Sequence, residues 1–199
     1  MLRSLRQRRA ARQPEDGLTL VELLVSMLMM SVVTAASYGV LIRVSNQSSD
    51  IQGREQTVAA ARLALQSLDR QIRSGNVLYD PALESLPNSM RIYTQTNGAE
   101  KCVQWQLLNG VLRSRSWSPT WQTDGIVSSW GNVARDIVNT ASPFTLDSTS
   151  AYGSRLINIS FDVRNTRSAG TVQTVATSLA GRNTEYGYDT GVCTPVPAP

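Results

Sequence analysis

Residues 18–42, LTLVELLVSMLMMSVVTAASYGVLI, carry one charge among 25 residues, Glu22. As a helix this run extends roughly 37 Å at about 1.5 Å per residue, enough to cross a bilayer. Arg3, Arg6, Arg8, Arg9 and Arg12 crowd its N-terminal side. By the positive-inside rule residues 1–17 are expected in the cytoplasm and the chain beyond residue 43 outside. Residues 1–17 carry a net charge of +3 and the remaining 182 residues +1, so the basic character belongs mostly to the leader. That distribution argues against a nucleic-acid footprint on the folded part.

Three readings of the N-terminal segment compete. One is a conventional secretory signal with a small-residue cleavage site at Thr34-Ala35-Ala36. Another is a plain uncleaved membrane anchor. The third is a signal cut just before the apolar run, after Gly17. Glu22 bears on the choice. A carboxylate in an apolar segment costs about 2.5–3.5 kcal/mol at the bilayer centre and usually marks function. A local account is a capping box, Thr19-x-x-Glu22, whose side chains satisfy free N–H groups of the first helical turn. It leaves unexplained why Glu15, Asp16 and Gly17 stand directly before the run.

Gly17-Leu18-Thr19-Leu20-Val21-Glu22-Leu23 resembles the class III signal of type IV prepilins and pseudopilins: a basic leader, a glycine, an apolar residue, Thr-Leu-apolar-Glu, then a long apolar helix. The resemblance covers residues 1–42. It departs at Leu18, where the family most often has phenylalanine. It implies that a prepilin peptidase cuts between Gly17 and Leu18 and that the new Leu18 amine is methylated. It implies assembly through Thr19 and Glu22, the Glu22 carboxylate pairing with the Leu18 amine of a neighbouring subunit, as a carboxylate in an apolar phase requires. The partners implied are other pilin subunits, the prepilin peptidase and the pilus assembly platform. The implied location is the cytoplasmic membrane, single-pass with the N-terminus in, and then an extracellular pilus. The implied architecture is α+β, the pilin fold: a long N-terminal helix packed on a C-terminal antiparallel β-sheet.

Beyond the apolar run, Val58, Ala61, Leu65, Leu68 and Ile72 recur at steps of three and four residues, one apolar stripe on a helix. Residues 43–75 therefore read as an amphipathic continuation of the membrane helix, stopped by Gly75-Asn76. Gly39 and Gly53 are weak points that leave the helix free to bend or locally unwind. Residues 76–193 read as an extracellular β domain. Val103, Trp105 and Leu107 alternate with Gln104 and Gln106, and Asn109-Gly110 before Val111–Arg115 is a strong hairpin signal. Ile157, Ile159, Phe161 and Val163 alternate with polar residues. Met90–Gln95 and 171–179 are further strands, with a turn at 165–170. Residues 118–153 read as loops with short elements, and the proline-rich 194–199 as a flexible tail. The segment 61–73 and a terminal strand closing near Gly181-Arg182-Asn183 resemble the larger minor pilins, the PilW-like group and the J-type pseudopilins.

Cys102 and Cys193 face an oxidising exterior on this topology, which favours a disulfide over two free thiols. Trp105, Trp117, Trp121 and Trp130 near Arg113 and Arg115 raise the alternative of a DNA-binding surface, as in a DNA-uptake pilin. The competing reading, that Trp105 is core and the others cover loops or contacts, is preferred, and no nucleic-acid partner is expected. Asn183, Glu185 and Asp189 are possible calcium ligands without EF-hand spacing, so surface polarity is the preferred reading. The chain has no histidine. No metal site, cofactor or catalytic set is expected, and no enzymatic activity.

Overall fold

The computed structural model describes residues 19–95, 98–147, 155–164, 171–181 and 188–199. The architecture is α+β, a long N-terminal helix followed by antiparallel sheets, as the pilin resemblance implies. The chain divides into two compact units, Met1–Gln47 and Ser48–Pro199.

Helix α1 runs Leu20–Arg73 and continues through Gly39 and Gly53 without unwinding at either. An uninterrupted backbone hydrogen-bond ladder offsets the cost of about 1 kcal/mol that each interior glycine carries relative to alanine. In the Ser48–Pro199 unit the buried apolar side chains described on α1 are Ala61, Ala64, Leu68 and Ile72. Ala61, Leu68 and Ile72 of the expected stripe are inside, joined by Ala64, while Leu65 packs at the margin. A small residue at 64 lets the helix approach the sheet closely.

The helix stops at Ser74, whose Oγ donates back to the Arg70 carbonyl at 2.9 Å. The Ser74 carbonyl accepts from Thr94 Oγ1 at 3.0 Å, which fixes the exit direction. Gly75 is required by proximity: a Cβ there would lie 3.0 Å from both the Ile72 carbonyl oxygen and Ile92 Cγ2. The chain turns directly into β1 (Gly75–Leu78), so the β domain starts at the residue expected to cap the helix.

Strands β1, β2 (Ser89–Thr94), β3 (Lys101–Leu108), β4 (Val111–Trp117) and β5 (Gly131–Ala134) form one antiparallel sheet in that order. Asn109 and Gly110 join β3 to β4 with φ of 50° and 77°, the two left-handed residues that a tight hairpin of this twist needs. A short helix, α2 (Trp121–Asp124), lies between β4 and β5. Strands β6 (Phe144–Asp147), β7 (Leu156–Arg164) and β8 (Val172–Ala180) form a second antiparallel sheet. Among the described residues the antiparallel strands thus divide into two sheets. Ile137 bridges to Val163, and the Val138 N–H donates to the Asp162 carbonyl at 2.7 Å, so the segment after β5 links the sheets. One apolar core joins α1 to both: Leu68, Ile72, Trp105, Ile157 and Phe161 are all essentially buried. The expected turn at 165–170 and Arg182-Asn183 lie outside the described residues.

Candidate functional site

The N-terminal site is built by the first turn of α1. The Thr19 carbonyl accepts the Leu23 N–H at 3.1 Å, and Thr19 Oγ1 accepts the Glu22 N–H at 3.2 Å. Thr19 is thus the N-cap, satisfying a backbone donor that has no helical partner. Glu22 stands in the first turn, where the helix dipole favours negative charge. Among the described residues its carboxylate has no ion-pair partner. Gly17 and Leu18 lie outside the described residues, so of the predicted site the structure places Thr19 and Glu22.

From Leu20 to Val44 every large apolar side chain is at least 46% exposed. A helix apolar on all faces and unburied is suited to lipid or to a helical assembly rather than to water. Its hydroxyls are compatible with that setting. Ser26, Thr34 and Ser37 donate to carbonyls four residues back at 2.7–2.8 Å, and Ser31 to one three residues back at 2.8 Å. Each such donor is satisfied within the helix, as a low-dielectric surrounding demands. Thr34-Ala35-Ala36, the cleavage site of the conventional reading, lies in mid-helix with no extended backbone.

A second assembly of side chains covers the outer face of the five-stranded sheet. Cys102 on β3 and Cys193 form a buried disulfide with 5.7 Å between their Cα atoms. Around it the C-terminal segment is fastened by side chains from four elements. Arg91 on β2 donates to the Cys193 carbonyl at 2.9 Å and stacks 3.9 Å over the Tyr79 ring, whose hydroxyl accepts the Cys193 N–H at 3.3 Å. Trp121 Nε1 donates to the Pro195 carbonyl at 2.9 Å. Arg115 on β4 donates to Pro197 O at 2.8 Å, to Ala198 O at 2.6 Å and twice to Gln104 Oε1 at 3.0 and 2.9 Å. Residues 194–199, expected from their prolines to form a flexible tail, are held along the sheet by these bonds. Proline removes backbone donors but leaves carbonyls, and here those carbonyls are taken by arginine and indole. Gln104 and Gln106, which alternation alone would have left in water, are buried on this face, Gln104 tied through Arg115 to the tail and Gln106 bonded to Arg113 and the Pro87 carbonyl.

The same network takes up the arginines and tryptophans considered for a nucleic-acid surface. Arg115 is 4% exposed, and burial, with Arg113 beside it, holds its guanidinium below the usual arginine pKa. Arg113 bonds Gln106 Oε1 at 2.7 Å, and both arginines stack on Trp130 at 4.3 and 4.5 Å. These cations are engaged inside the domain. Trp105 and Trp117 are buried, while Trp121 and Trp130 cover the sheet. Of the calcium candidates, Asn183 and Glu185 lie outside the described residues, and Asp189 Oδ1 accepts the Gly191 N–H at 2.8 Å. Among the described residues no cluster of three or more His, Cys, Asp or Glu forms.

Sequence reasoning missed the arginine clamp on the tail. Its signal was the pairing of Gln104 and Gln106 with Arg115 and Arg113 across the hairpin, fixed once Asn109-Gly110 is the turn.

No curated protein matches the chain significantly. Residues 12–38 match the family model of the prokaryotic N-terminal methylation motif, and the chain thus carries the class III signal of type IV pilin-like proteins, which are substrates of prepilin peptidase.

Proposed function

We propose that the chain is a minor pilin-like structural subunit that enters a type IV pilus or related filament through its N-terminal helix. The observation that carries this reading is the single acid of the apolar, exposed stretch of α1 from Leu20 to Ile42, standing in the first turn behind a threonine cap. In this reading residues 1–17 face the cytoplasm, and cleavage between Gly17 and Leu18 removes them. It exposes an amine, subsequently methylated, four residues before Glu22. On membrane extraction into the filament, Glu22 pairs with that amine on an adjacent subunit and sets the register. The β domain is displayed outward, and the protein performs no catalysis.

Mass spectrometry of the mature N-terminus after co-expression with a prepilin peptidase tests the processing step. A chain starting at methylated Leu18 is the expected result. A start at Ser37 supports conventional secretion, and an intact Met1 supports a plain anchor; either overturns the proposal.

A further inference from the structure

The helix-facing side of the five-stranded sheet changes character along its length. Near the β3–β4 turn it is filled by Trp105, Leu107 and Leu112, all buried against α1. Further along, the positions of the same face are Ser114 and Ser116, paired with Trp105 and Val103. Serine side chains cannot fill the gap to the helix, and a cleft of about 440 Å³ opens between α1 and strands β3–β5. Ser67 and Arg70 contribute from the helix and Lys101 from the start of β3.

The chemistry of the lining is one-sided. Its charged members are all basic. Among the described residues Arg70 and Lys101 have no ion-pair partner, and the hydroxyls of Ser67, Ser114 and Ser116 make no hydrogen bond. Glu100, beside Lys101, is held by Gln95 at 3.2 Å. The volume lies within the ordinary range of about 300–1,000 Å³ for small-ligand sites. No aromatic side chain lines the cleft, so the stacking platform that single-stranded nucleic acid uses is missing there.

We propose that this cleft binds a small acidic saccharide, its phosphate or carboxylate on Arg70 and Lys101 and its ring hydroxyls on the serines. Charge-assisted bonds orient the acid group, and free hydroxyls on both sides offer the donor and acceptor pairs that a polyol requires.

Saturation-transfer NMR and calorimetric titration of the full-length chain in detergent test this, with glucose 6-phosphate, glucuronate, glucose and inorganic phosphate as probes. The two acidic sugars are expected to bind and glucose to bind far more weakly. Replacing Arg70→Gln with Lys101→Gln is expected to weaken the acidic sugars by about tenfold or more, as loss of charge-assisted bonds does. Ser114→Ala with Ser116→Ala is expected to weaken the sugars while leaving inorganic phosphate unchanged. Absence of binding overturns the site. Equal affinity for inorganic phosphate and glucose 6-phosphate overturns its saccharide character. An unchanged affinity in both double variants, each with wild-type thermal unfolding, places the ligand elsewhere and overturns the assignment.

Discussion

The indole N–H of Trp105 on β3 donates to Gln71 Oε1 on α1 at 2.7 Å, a polar tie inside the contact that otherwise rests on Leu68 and Ile72. Trp105 is 1% exposed, so no water replaces Gln71 if that partner is lost. Gln71→Leu is expected to destabilise the domain by about 1–3 kcal/mol, the cost of orphaning a buried donor. Leu68→Ala is expected to cost about 2–5 kcal/mol through lost burial and a cavity. Denaturant unfolding followed by tryptophan fluorescence measures both, and a Gln71→Leu variant as stable as wild type would show that the bond contributes nothing.

Glu22 carries the assembly argument. Glu22→Gln keeps side-chain size and removes the charge that an N-terminal amine would neutralise. Because Thr19 Oγ1 accepts the Glu22 backbone N–H, the cap survives the substitution. The expected result is normal cleavage after Gly17 with filament incorporation sharply reduced, read by immunoblot of sheared filaments against the membrane fraction. Incorporation at the wild-type level would remove the register role.

Much of this was legible because local signals were strong. The apolar run, the 3–4 periodicity of 58–72 and Asn109-Gly110 each specify one backbone solution, and α1, β3 and β4 lie where those residues indicate. The division into two sheets was not legible: it depends on which strand edge pairs with which, and β6 is only four residues long. The stripe was legible at Ala61, Leu68 and Ile72 but not at Ala64, because alanine carries little hydrophobic signal, yet there its small size is what the packing selects. The contacts of the tail were not legible because proline content describes a free chain, whereas Arg115, Arg91 and Trp121, which bond the carbonyls of the C-terminal segment, are distant in sequence. At the candidate site, the Thr19 cap was legible from its spacing to Glu22 and the site itself from the resemblance, and the cleft was not, since it arises from serines whose inward direction only the register reveals.

The disulfide and the arginine clamp hold the C-terminal segment jointly. Cys102 and Cys193 are 91 residues apart, and closing a loop of that length stabilises by about 4–5 kcal/mol in the chain-entropy account. Cys193→Ser is expected to lower the thermal midpoint markedly. Arg115→Lys removes the planar fork that reaches Gln104, Pro197 and Ala198 together, which a single ammonium does not reproduce. Its expected effect is release of residues 194–199 with the disulfide intact, seen as faster loss of C-terminal residues to carboxypeptidase. Equal digestion rates for Arg115→Lys and wild type would show that the bridge alone retains the tail.

Glu84 gives the domain a defined pH response. Its side chain is 1% exposed and lies 3.0 Å from Arg91, which also holds the Cys193 carbonyl. Burial raises its pKa above the ordinary value, and the attraction of Arg91 offsets this only in part. An acid whose folded pKa exceeds its unfolded one favours the fold most when protonated in both states. That contribution is complete below the ordinary value of 4.5 and is lost as pH rises through the raised folded value. Glu84→Gln mimics the neutral acid at every pH. The difference in thermal midpoint between Glu84→Gln and wild type should therefore grow in favour of the variant as pH rises from about 4 to 7, levelling once Glu84 is ionised. A difference that instead grows in favour of wild type over that interval would mean that the Arg91 pair outweighs the desolvation of the carboxylate.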